Sequence, residues 1–150
     1  MCAVRVPPPL LALAAGYGQR LLTKGAAPPR AAQVVAAVAT GAASVGLLAS
    51  AGLTFRSRET TVDPLRPERA TSLVVSGPFK LTRNPMYVGM AGLLVAHAVL
   101  RGSPRAVLPV AAWVAVIDRV QIPPEERAMA KLFGADYEAY RSRVPRWLIV

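Results

Sequence analysis

The sequence predicts an all-α integral membrane protein with about four transmembrane helices and a C-terminal amphipathic helix. Three observations carry that reading. Apolar residues make up 53% of the 150 and gather in long uncharged runs. The 18 lysines and arginines fall mostly between those runs. The last segment repeats its large apolar residues every three or four positions, as a surface helix does.

The chain reads as a single membrane domain, with spans near 8–23, 31–55, 85–100 and 104–120, a loop over 56–84 and a helix over 123–144. The first span follows Pro7-Pro8-Pro9. Gln19, Arg20 and Lys24 interrupt what would otherwise pass for a signal-peptide cleavage region. At 1.5 Å per residue this span reaches only about 24 Å, so tilt, thinning of the bilayer or snorkelling of Arg20 must help. The second span has 25 residues and no charge. Its small residues Gly41, Ala42, Ser44, Gly46, Ser50 and Gly52 allow close helix packing in lipid.

Loop 56–84 is too polar to cross a membrane and too proline-rich for one helix. Its length exceeds that of an ordinary connection, which favours a functional loop. It ends in residues 76–89, SGPFKLTRNPMYVG. Gly77-Pro78 is a turn signal. Asn84-Pro85 is a helix start, with Asn as a capping residue and Pro at the first helical position. The third and fourth spans are nearly equal in length and joined by Arg101-Gly102-Ser103, so they form a helical hairpin. The hairpin returns QIPPEE, residues 121–126, to the membrane face that holds Asn84 and Tyr87.

In the last helix Met129, Leu132, Phe133, Tyr137, Tyr140 and Val144 form the apolar stripe. Glu125 and Glu126 fall in its first turn, where the helix dipole favours acids. Taken alone, that helix makes them simple capping acids. Arg146 and Trp147 suit an interfacial position. His97, mid-span, reads as a hydrogen-bonded packing residue.

If both termini are cytoplasmic, 13 of the 18 cations lie inside, among them Arg5, Arg56, Arg58, Arg66 and Arg69. The positive-inside rule favours that orientation. It places the 76–89 loop and Glu125 on the cytoplasmic face. The net charge of +10 belongs to these flanking cations. Without interleaved aromatics or a recognition motif they do not describe a nucleic-acid surface. One cysteine, Cys2, excludes an internal disulfide, and with one histidine it argues against a Cys/His metal site.

SGPFKLTRNPMYVG, followed about forty residues on by PPEERAMAKLFGADYEAYRSRV, resembles the isoprenylcysteine carboxyl methyltransferase and phospholipid methyltransferase superfamily. That family shows a Gly-x-Tyr/Phe turn, Arg-His-Pro-x-Tyr-x-Gly, a membrane hairpin, Glu-Glu-x-x-Leu and Phe-Gly-x-x-Tyr-x-x-Tyr. The resemblance covers roughly residues 60 to 146. Asn84 stands where the family usually has His, and Met129 where Leu is commoner.

The resemblance implies S-adenosylmethionine as cofactor, with Ser72, Leu73, Val74, Phe79, Asn84, Tyr87 and Glu125 as its contacts. It places Gln121, where eukaryotic members carry an Arg, and Glu126 on the side of a lipophilic acceptor. The residue types suit methyl transfer, an in-line displacement that needs positioning and water exclusion more than acid–base help. A carboxylate accepts hydrogen bonds from hydroxyls or an ammonium, and aromatic faces lie well against a cation. The enzyme implied is isoprenylcysteine carboxyl O-methyltransferase-like. The alternatives are a phospholipid or other lipid-amine N-methyltransferase, or a non-catalytic membrane protein of the same fold.

Overall fold

A computed structural model describes residues 6–57 and 72–148 of the chain. Cys2, Arg5 and the middle of the long loop, 58–71, with Arg58, Arg66 and Arg69, lie outside the described residues. Among the described residues there are helices and turns and no strand.

Helix α1 (Pro8–Leu22) starts on prolines, whose missing amide hydrogens cost nothing in a first turn. Helix α2 (Ala31–Ser57) runs unbroken for 27 residues. A 3-10 turn at Gly77–Lys80 leads into α3 (Pro85–Arg101). Gly77 enters that turn at φ 59, a left-handed value that glycine takes without strain. A second 3-10 turn at Pro104–Ala106 opens α4 (Val107–Val116), and α5 is Ile122–Arg143.

The helix start expected near Pro123 is absent. A π-helical segment, Ile117–Gln121, joins α4 to α5, so the helix runs on through Pro123 and Pro124. A proline inside a helix lacks an amide donor and crowds the carbonyl four residues back, and the wider π turn lies just ahead of this pair. Glu125 and Glu126 therefore lie within a continuous helix and cap no free helix end. The backbone breaks further on, at Gly134 (φ 49, ψ −122), which divides α5 within one element. Among the described residues two helices are long and apolar enough to cross a membrane by length and composition: Ala31–Ser57 and the run Pro104–Arg143. Helix α3 is apolar but shorter.

Helix α3 is the centre of the bundle, packing on α1, α2 and α4. The close approach between α2 and α3 comes chiefly from the α3 side. A Cβ at Gly89 would lie 2.6 Å from Leu48 Cγ, and one at Gly92 would overlap the Ser44 hydroxyl. Of the small residues expected to do this on α2, Ser44 is buried, whereas Gly46 and Gly52 face open space. Large apolar side chains such as Val35, Val38 and Leu53 point outward from α2.

Two apolar clusters flank the N-terminal end of α3. One joins Tyr87, Leu94, Trp113, Ile117 and Ile122 across α3, α4 and α5. The other joins Ala51, Val74, Phe79, Tyr137, Tyr140 and Val144 beneath the 3-10 turn. Met129 and Phe133 pack against the second cluster, but Leu132 is exposed and leaves the expected stripe.

Candidate functional site

Tyr87 sits in the first turn of α3 and is almost fully buried. Its hydroxyl donates to Glu125 Oε1 at 2.7 Å. Gln121 Nε2 donates to the same oxygen at 2.6 Å, one helical turn before it. The two donors thus converge on one oxygen of the carboxylate. The Trp113 ring meets Tyr87 edge-on, with centroids 6.4 Å apart. Its indole Nε1 is buried with no acceptor among the described residues. Tyr87, Gln121 and Glu125 are thus brought together at the junction of α3 and α5, with Trp113 as an apolar wall.

Glu126 turns the other way, since successive helical residues point about 100° apart. Its carboxylate accepts from Arg146 Nε at 3.1 Å and Nη2 at 2.6 Å, and Arg83 Nη1 lies 3.0 Å away. Arg146 also donates to Asp118 Oδ1 at 3.0 Å, where Trp147 Nε1 donates at 2.9 Å. These carboxylates, Glu126 first, hold the Arg146 guanidinium further above its ordinary pKa.

The main chain of the same segment ties down the approach to α3. The Arg146 carbonyl accepts from Thr82 Oγ1 at 2.8 Å and from Asn84 Nδ2 at 3.1 Å, and the Pro145 carbonyl accepts from the Arg83 amide at 2.9 Å. Asn84 holds the capping position, but its side chain reaches across to residue 146 and does not cap its own helix. The Thr82 hydroxyl accepts from the Asn84 amide.

Val74 and Phe79 are buried in the second apolar cluster, with Leu73 packed against it. The Phe79 ring meets Phe55 edge-on at 5.0 Å, and its carbonyl accepts the Tyr140 hydroxyl at 2.7 Å. Ser72 is half-buried at the entry to this stretch. The nine residues singled out from the sequence therefore fall into three groups: Tyr87, Gln121 and Glu125 around one carboxylate oxygen; Asn84 and Glu126 on Arg146; and Ser72, Leu73, Val74 and Phe79 on or near the second cluster.

Sequence reasoning missed Asp118, Thr82, Trp113 and the ion-pairing role of Arg146. Asp118 carried a usable signal, as an acid inside an apolar span normally has a buried partner or a function. Among the described residues no group of three or more His, Cys, Asp or Glu side chains is placed to hold a metal.

The fold and this site define an all-helical protein in which apolar helices frame a hydrogen-bonded carboxylate. More particularly, residues 32–136 match the phospholipid methyltransferase family, and the chain belongs to that family, within the isoprenylcysteine and phospholipid methyltransferase superfamily. A relative from Haemophilus influenzae, described as an uncharacterized protein, is 35% identical over 63 residues, which are 42% of this chain and 100% of that protein. No solved structure matches.

Proposed function

We propose that the chain is a multi-pass membrane methyltransferase that uses S-adenosylmethionine to methylate a lipophilic acceptor at the cytoplasmic face. The observation that carries this reading is the convergence of Tyr87 and Gln121 on Glu125, inside the matched region and against Trp113. In this reading four spans cross the bilayer with both termini inside, and the chain is one domain. The distribution of cations supports that orientation.

The residues present fit the cofactor's chemistry. When bound, S-adenosylmethionine supplies an electrophilic methyl carbon on a sulfonium. Glu125 accepts hydrogen bonds from the cofactor's hydroxyls or ammonium, a charge-assisted contact about twice as strong as a neutral one. Tyr87 and Gln121 hold that carboxylate in one orientation, so little freedom is lost on binding. Leu73, Val74 and Phe79 form an apolar wall on the cofactor's far side that excludes water, with Ser72 at its entry and Asn84 at the mouth. Gln121 and Glu126 face the acceptor, Glu126 acting through its hold on Arg83 and Arg146.

One observation favours a lipid amine over a carboxylate as the acceptor. Gln121 stands beside Glu125, where an Arg would pair with a carboxylate substrate, and an amide offers no such charge.

The test uses purified full-length protein. It binds S-adenosylhomocysteine and transfers labelled methyl from S-adenosylmethionine into membrane lipid, and the label resists base, as an N-methyl group does and a methyl ester does not. Absence of S-adenosylhomocysteine binding overturns the enzyme reading in favour of a non-catalytic protein of this fold. Base-labile label returns the carboxylate acceptor.

A further inference from the structure

A cavity of about 380 Å³ opens beside the site, where the end of α5 and the segment after it meet the approach to α3. Arg83, Arg141, Ser142, Arg143, Arg146 and Trp147 line it, and among the described residues no acidic side chain does. Three of these arginines come from the six-residue stretch 141–146, and the fourth, Arg83, comes from the approach to α3, its amide donating to the Pro145 carbonyl.

The acids nearby do not neutralise this set. Glu126 is shared between Arg83 and Arg146, and Asp118 serves Arg146 alone. Arg141 meets Glu138 at 3.4 Å with both side chains half exposed, a pairing worth little in water. Arg143 Nε donates to a neutral carbonyl, that of Ala139. Arg83 is the telling member. Its side chain is 11% exposed, yet Nε and Nη1 are buried without a hydrogen-bond acceptor, although Nη1 lies close to Glu126. Buried donors of a charged group are costly when unmade, and Glu126 at 3.0 Å offers Arg83 charge without a well-aligned hydrogen bond.

We propose that this cavity binds a phosphate group, delivered by an anionic lipid headgroup or by a free phosphate ester. Guanidinium forks match the paired oxygens of a phosphate, and several of them suit a group whose charge is spread over several oxygens. The surroundings are those of a membrane surface: Trp147 lines the cavity, and the exposed Leu148 follows it. A basic cluster at that depth attracts anionic lipid. The proposal stands apart from the methyl-transfer reading and does not depend on it.

The experiment is thermal unfolding of the full chain in neutral detergent, titrated with dioctanoyl phosphatidic acid, dioctanoyl glycerol or inorganic phosphate. Phosphatidic acid raises the midpoint saturably, and dioctanoyl glycerol, which lacks the phosphate, does not. Arg141→Ala/Arg143→Ala raises the apparent Kd about tenfold or more and leaves the ligand-free midpoint unchanged. Should that variant unfold, Glu138→Gln provides the second arm: it frees Arg141 and tightens binding. Equal responses to the two lipids overturn the proposal, as does an unaltered Kd in the folded double variant, or in Glu138→Gln where that arm is used. Inorganic phosphate that binds as tightly as phosphatidic acid identifies a soluble ester as the source. Inorganic phosphate that binds far more weakly identifies the lipid.

Discussion

Helix α3 carries polar side chains at both ends, and the two ends differ. At the C-terminal end Gln19 is fully buried; its Nε2 donates to the Leu94 and Ala106 carbonyls, and its Oε1 accepts from His97 Nδ1 at 2.7 Å. Because the amide group donates twice, the oxygen must accept, which assigns the proton to His97 Nδ1. Arg101 donates to the Thr23 hydroxyl and carbonyl, and Gln33 to the Val99 carbonyl. These bonds pin α1 and α2 to α3 with neutral acceptors throughout. At the N-terminal end carboxylates join the carbonyls as acceptors: Glu125 takes Tyr87 and Gln121, and Glu126 meets Arg83 and Arg146. One end uses polarity to hold helices together, while the other keeps charge beside open space, as a binding site does.

The largest expected effect separates two neighbours at the charged end. Glu125→Gln weakens S-adenosylhomocysteine binding about ten- to a hundredfold, the size of a charge-assisted bond of about 1.5–3 kcal/mol, while the protein stays folded in detergent. Glu126→Gln lowers the unfolding midpoint instead, by loosening Arg83 and Arg146, and retains tighter cofactor binding than Glu125→Gln. Calorimetric titration of both variants decides the matter. Equal and mild effects would mean that Glu125 holds structure alone.

At the other end, Gln19→Leu strips two carbonyls and His97 of a partner. It destabilises by about 1–3 kcal/mol in a denaturant titration and leaves cofactor affinity unchanged. A selective loss of affinity would dissolve the contrast between the two ends.

The smallest effect compares two glycines. Gly92→Ala forces a Cβ against Ser44 and destabilises the α2–α3 contact, whereas Gly46→Ala meets nothing within 4 Å and gains up to about 1 kcal/mol from helix propensity. Thermal midpoints of the two variants move in opposite directions, or the packing described for α3 is wrong.

The sequence made some of this legible for physical reasons. Uncharged runs announce helices, two of them opening on prolines, so α1, α2 and α3 start at Pro8, Ala31 and Pro85. Gly77-Pro78 announces a turn through local chemistry, and a turn is there. The contact between Tyr87 and Glu125 followed from folding a hairpin of two equal arms. What stayed hidden depends on distant partners. Nothing local tells Asn84 to bond to residue 146 in preference to its own helix, or tells Glu126 that two arginines will meet it. The double proline misled for a related reason: its local preference is for a helix start, but the helix enters it already formed, through the π segment.

That segment also sets angular phase. Trp113 and Glu125 are twelve residues apart, and on an unbroken α-helix they would point about 120° away from one another. A π turn absorbs one extra residue without ending the helix, which reduces the offset to about 20°. Both side chains consequently reach the same tyrosine, one by its ring and one by its carboxylate. The extra residue acts as a phase shifter in a rigid rod. It lets the apolar half of the helix and its charged half address one point on a neighbour, although their sequence spacing alone would aim them apart.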